Sequence, residues 1–162
     1  VTLRIKVDLR DVAAKLGLLR ANLKLALLQG IAEGIFQMAR RSFDQQASPE
    51  GAPWVPLSPR YAGLKARLFP RKPILQAHGI LLRSLFRGVE GDQAIIGSSL
   101  PYAAIHQFGG AAGRRGPFKK KGGKRAQIPA RPFMPQLATA EAEAVRLAEE
   151  ILEQAVRNAE LQ

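Results

Sequence analysis

Of the side chains that move protons or bind metals at neutral pH, this chain holds two imidazoles, His78 and His106, and no cysteine. His106 lies in Pro101-Tyr102-Ala103-Ala104-Ile105-His106-Gln107-Phe108-Gly109-Gly110, where an imidazole could ligate a metal or shuttle a proton. Either task needs partners. No Asp or Glu occurs between Asp92 and Glu141, so the surrounding sequence supplies neither a second ligand nor an acid to orient the ring. The expectation is a structural His106 that hydrogen-bonds backbone or a neighbour in the turn before Gly109. Ser42, Ser48, Ser58, Ser84, Ser98 and Ser99 all lie outside a G-x-S-x-G setting, and no glycine-rich loop has the spacing of a nucleotide cradle. No catalytic residue, metal site or cofactor is expected, and the chain is not read as an enzyme.

Docking chemistry is better represented. Tyr102 and Phe108 bracket His106 with large surfaces suited to core or interface packing. Arg131 stands between Ala130 and Pro132 in a segment that prolines 129, 132 and 135 keep extended, where a planar guanidinium can hold a carboxylate or two backbone carbonyls. It is read as an anchor within or between subunits. Tyr102, His106, Gln107, Phe108, Arg131 and Phe133 together form the candidate surface for a second copy or another protein. Arg114, Arg115, Lys119, Lys120, Lys121, Lys124 and Arg125 set seven positive charges and no negative one among four glycines. This basic loop, taken as flexible over 111–127, has three readings: contact with an acidic protein face, contact with DNA, or solvation alone. Phe118 is its one aromatic, so any DNA contact there is expected to be non-specific and steeply salt-dependent.

The elements that must position these residues show in the periodicity. Leu3, Ile5, Val7 and Leu9 alternate with Arg4, Lys6 and Asp8, the pattern of a strand with one buried face. Asp11 can cap a helix whose stripe Val12, Leu16, Leu19, Leu23, Leu27, Ile31, Ile35 and Met38 reaches the neighbourhood of Phe43. Leu18, Leu25, Leu28 and Phe36 lie off that stripe, which predicts that part of the rod packs on another subunit. Gly17, Gly30 and Gly34 imply close packing or a bend near Gly30. Four prolines between Pro49 and Pro59 make a rigid loop, with Trp54 as its anchor on the core. A short basic helix over Tyr61–Phe69 and a helical pattern over Ile74–Phe86, interrupted near Gly79, follow. Val89 and Ala94 to Ile96 flank Glu90-Gly91-Asp92-Gln93, a hairpin expected to pair with the first strand. A last helix runs from about Gln136 to Asn158 on a narrow alanine stripe.

Composition sets the outer bounds. At 162 residues and 46% apolar content the chain supports one domain, 1–162, of α+β class: a small antiparallel or mixed sheet packed against a long N-terminal and a C-terminal helix. The formal charge of +12 favours nucleic acid or an acidic protein as partner. Six glutamates beyond Gln136 (141, 143, 149, 150, 153, 160) oppose that charge in the last helix. The apolar runs fall far short of the roughly 20 residues of a membrane span, so a soluble, unexported protein is expected.

These segments carry a resemblance. Ser48-Pro49-Glu50-Gly51 with Trp54-Val55-Pro56-Leu57, Ile74-Leu75 with His78-Gly79-Ile80-Leu81 and Ser84-Leu85, Ile96-Gly97-Ser98, the Tyr102 to Gly110 motif, and Ile128-Pro129-Ala130-Arg131-Pro132-Phe133 occur in the order found in the phage virion morphogenesis family. That family groups tail-completion proteins of Mu-like and related tailed phages. The resemblance spans Phe43 to Phe133, and it departs at His78, where the family usually carries a small polar residue. It implies a structural virion protein joining tail to head in the neck, assembled as a ring with the sixfold symmetry of the tail tube. The implied partners are its own copies, other neck and tail proteins, and genomic DNA in the channel without sequence preference. The location implied is the virion, after assembly in the host cytoplasm. A small basic nucleic-acid-binding protein is the alternative from another class.

Overall fold

The computed structural model describes residues 3–8, 21–111 and 127–160. The helix start at Asp11, with Val12 to Leu19, and all seven basic residues from Arg114 to Arg125 lie outside them. The described elements are β1 (Leu3–Asp8), α1 (Ala21–Gln45), α2 (Pro59–Leu68), α3 (Ile80–Arg83), β2 (Leu85–Glu90), β3 (Gln93–Ser98), α4 (Ala103–Phe108), β4 (Gly110–Ala111), β5 (Gln127–Ile128) and α5 (Leu137–Glu160). The class is α+β, with two small antiparallel sheets.

In the larger sheet the strand order is β1-β3-β2, all antiparallel, with Ile5 opposite Ile96 and Arg87 opposite the same Ile96. The face bearing Leu85, Val89, Ala94 and Ile96 packs on α1, whose Leu27, Leu28, Ile31, Ile35 and Phe36 are buried. On the opposite face Glu90 pairs with Arg4 at 3.3 Å and Lys6 at 4.0 Å, the polar side that the alternation of the first strand requires. Leu28 and Phe36 are thus spent inside the subunit, contrary to the expectation that the off-stripe residues seek another copy; Arg87 lies over the Phe36 ring at 4.7 Å. Leu25 alone of the described off-stripe set stays about half exposed.

The alanine stripe of α5 meets the glycines of α1. Ala140, Ala144 and Ala148 are buried, and a Cβ on Gly30 or Gly34 would land on the side chains of Ile151 or Leu147. The two glycines therefore serve close approach of the helices rather than a bend.

The helical expectation for Ile74–Phe86 needs correction. Only Ile80–Arg83 is helical, and Leu85 and Phe86 begin β2. Pairing with β3 over six positions outweighs one further helical turn, and the Ser84 and Ser98 hydroxyls meet at 2.7 Å where the strand begins.

Candidate interaction site

The proline-spaced segment after Ile128 folds across the structure and is tied down by three side chains. Gln107, on α4, is 7% exposed; its carbonyl oxygen accepts the N–H groups of Phe133 and Met134 at 3.0 Å each, and its amide donates to Met134 O at 2.9 Å. Arg131, 4% exposed, donates through Nε to Val55 O at 2.8 Å and through a terminal nitrogen to Pro56 O at 3.1 Å. It is an anchor within its own subunit, holding two carbonyls as its planar fork allows. Trp54 donates to Pro132 O at 2.6 Å and sets its ring edge-on to Phe43, which also packs against the fully buried Phe133. Gly109 is obligatory here: its φ is +72°, and a Cβ would press on Ala130 N at 2.8 Å.

Beside this clamp lies a groove of about 740 Å³. Tyr61 and Lys65 of α2, His78 to Leu81, Tyr102 at the start of α4 and His106 within it, and Ile128, Pro129 and Arg131 form its walls, and no described carboxylate lines it. Lys65 is buried, which pushes its ammonium below the usual lysine value, and it donates to the carbonyls of Lys72 and Pro73. Burial, and then the nearby Arg131 guanidinium, push His106 below the usual histidine value and favour the neutral ring. Tyr102 meets that ring edge-on at 5.9 Å. Among the described residues the buried Nδ1 of His106 has no hydrogen-bond partner, so the bond expected from the sequence is not made there to any described group. Ser58 also lines the groove and forms no hydrogen bond with either histidine. Among the described residues, no three His, Asp or Glu side chains gather as a metal site would need, and no helix is long and apolar enough to cross a membrane.

The six sequence-derived surface residues therefore divide. Gln107, Arg131 and Phe133 are interior, Tyr102 and Phe108 present 40% and 69% of their surface outward, and His106 stands between. Ala111 and Gln127 face each other in the small sheet, on either side of the undescribed basic segment.

Sequence reasoning placed a short basic helix over Tyr61–Phe69, close to the observed α2, but gave it no docking role. Residues 51–89 carry Arg60, Lys65, Arg67, Arg71, Lys72, Arg83 and Arg87 without one acidic residue, a second basic block masked by the denser loop. Arg60, Arg67, Arg71, Lys72 and Arg83 are exposed and form no ion pair with another described residue. Tyr61, Leu64 and Leu68 follow i, i+3, i+7 spacing yet remain 51%, 42% and 61% exposed. That spacing was available from the sequence; that the core leaves this face uncovered was not.

The comparisons with known proteins agree in kind. The model of the phage virion morphogenesis family matches residues 6–157. The putative capsid assembly protein G of Escherichia phage Mu is 33% identical over 111 residues, 67% of each chain. The Mu-like prophage FluMu G protein 2 of Haemophilus influenzae is 39% identical over 75 residues, 46% of this chain, which spans about half (48%) of that protein's length. No solved structure matches. The chain belongs to the phage virion morphogenesis family.

Proposed function

We propose that this protein completes the tail and joins it to the head, as a homo-oligomeric ring, six-membered by the symmetry of the tail tube, in the neck of the virion. One observation carries the reading: Tyr61, Ile80 and Tyr102, all at least 40% exposed, line one groove, Leu64 and Leu68 continue the exposed stripe of Tyr61 along α2, and Arg60 and Arg67 beside that stripe pair with no other described residue. Contiguous apolar surface rimmed by charge is what a protein buries against another protein. Its role is mechanical and its partners are its own copies and the adjoining neck and tail proteins; the basic residues engage a neighbouring ring or, weakly, the DNA that passes through.

The test is a phage carrying a nonsense mutation in this gene. Lysates should accumulate filled heads and unattached tails, and purified wild-type protein should restore joining in vitro, with reconstructed particles showing its density at the head-proximal tail end. Normal joined particles made without the protein would defeat the reading. Filter binding across a salt series addresses the nucleic-acid alternative, which requires sub-micromolar affinity at physiological salt with a slope of several released ions.

A further inference from the structure

The ring reading says that copies meet but not by which faces, and the structure carries complementary ones. The helix α2 holds Tyr61, Leu64 and Leu68 on one exposed stripe, with Arg60 and Arg67 beside it. On α5, away from the alanine stripe that packs on α1, Val145, Leu152 and Val156 form a second stripe. Val145 and Val156 are 45% and 58% exposed, and Leu152 between them is half-buried against the subunit's own core. Glu141 and Glu149 fall on this same stripe, at the i−4 and i+4 positions of Val145. Both are exposed and pair with no described cation, whereas Glu143, Glu150 and Glu153 on the next face are held by Arg146 and Arg157.

We infer that the α2 stripe of one copy seats against the Glu141–Val156 stripe of α5 on the next copy, an inference that rests on the ring reading and specifies its interface. The spacing fits: at 1.5 Å rise per residue Arg60 and Arg67 are about 10 Å apart and Glu141 and Glu149 about 12 Å. The signs fix the pairing. An α2–α2 contact sets arginine against arginine and an α5–α5 contact sets glutamate against glutamate, whereas α2 on α5 opposes unlike charges along two apolar ridges. Such a contact joins different patches of the two copies, the head-to-tail kind that closes into a ring when the rotation per step allows.

The experiment exchanges the signs in the full chain. Arg60→Glu/Arg67→Glu and Glu141→Arg/Glu149→Arg should each sediment as monomer where the wild type sediments as ring, with unchanged circular dichroism, and an equimolar mixture should regain the wild-type size with alternating copies in native mass spectra. Because the chain has no cysteine, Leu64→Cys mixed with Val145→Cys should also trap a disulfide-linked pair on oxidation that neither gives alone, a readout that survives if the charge variants misfold. Rings formed by both charge variants alone, a mixture that stays monomeric, or the absence of the mixed disulfide would overturn this pairing while leaving the ring reading intact. A wild-type chain that is monomeric at every concentration, including in the presence of tails, would remove the ring reading and the pairing with it.

Discussion

Gln107 is the residue whose replacement should separate an interior role from a surface one. Gln107→Leu keeps the volume near that of the amide but strands three buried backbone groups, the N–H of Phe133, the N–H of Met134 and the carbonyl of Met134. Each stranded group costs about 1–3 kcal/mol, and with some relaxation and the added apolar burial the expected loss is about 3–6 kcal/mol. A domain of this size holds about 5–15 kcal/mol in all, so the variant should be marginal. Urea denaturation of the dissociated subunit, with the midpoint falling at unchanged slope, measures it. Gln107→Glu adds a signed check. Its carboxylate accepts both N–H groups but sets an oxygen against the Met134 carbonyl, which favours the protonated acid and raises the folded pKa above about 4.3. Stability should then be nearest the wild type below about pH 4 and fall as pH rises through the raised value. A leucine variant within about 1 kcal/mol of the wild type, or a glutamate variant whose deficit ignores pH, would refute the clamp.

Gly34→Ala should cost about 1–3 kcal/mol, because its Cβ meets three carbons of Leu147 and outweighs the gain in helix propensity. Gly30→Ala, which meets chiefly the terminal carbon of Ile151, should be nearly neutral, and Leu147→Ala should reduce the cost of Gly34→Ala; denaturant midpoints for the set decide it. His106 has a folded pKa below its unfolded value near 6.5, so its contribution is intact above about pH 6.5 and is lost as pH falls toward the depressed folded value. Melting temperatures between pH 7.5 and 5 should decline in the wild type and decline less in His106→Gln. Lys65→Met keeps the apolar stem but removes the bonds to Lys72 and Pro73 carbonyls, and should cost about 1 kcal/mol and speed tryptic cleavage after Arg71.

How much of this was legible depends on whether a residue's neighbours are local. The outer strand, the hairpin around Gly91 and Asp92, the alanine face of α5 and the anchoring of Trp54 all follow from period, turn chemistry or composition within a few residues. Leu85 and Phe86 misled because four apolar residues fit a helical turn as well as a strand edge, and only the register with β3 decides. Arg131 was legible as a carbonyl-holding fork, but its partners, Val55 and Pro56, are 76 and 75 residues away and carry no signal of their own. Gln107 and Phe133 were singled out for lying in a dense motif; that motif closes the subunit upon itself, and its outer residues Tyr102 and Phe108 are what remain for a neighbour. The α2 surface was missed because a charge count over the whole chain credits the densest run and hides a thinner one.

The thinner run also bears on what drives assembly. Exposed ion pairs contribute about 0.2–1 kcal/mol each and fade with salt, so two arginine–glutamate contacts between α2 and α5 cannot by themselves hold a ring. Burying side chains such as Leu64, Leu68 and Val156 contributes up to about 1.5–3 kcal/mol each when coverage is complete, and salt does not screen it. In the pairing inferred here the apolar ridges therefore supply affinity, while the charges choose which helix meets which and steer the approach. Raising salt from 50 to 500 mM should slow ring formation several-fold and leave the rings at equilibrium largely intact, whereas Leu64→Ser/Leu68→Ser should abolish them at any salt. Light scattering after rapid dilution from denaturant reads both rate and end point. Rings that dissolve in high salt yet survive the serine substitutions would invert this division of labour and move the source of affinity from the apolar stripes to the charges.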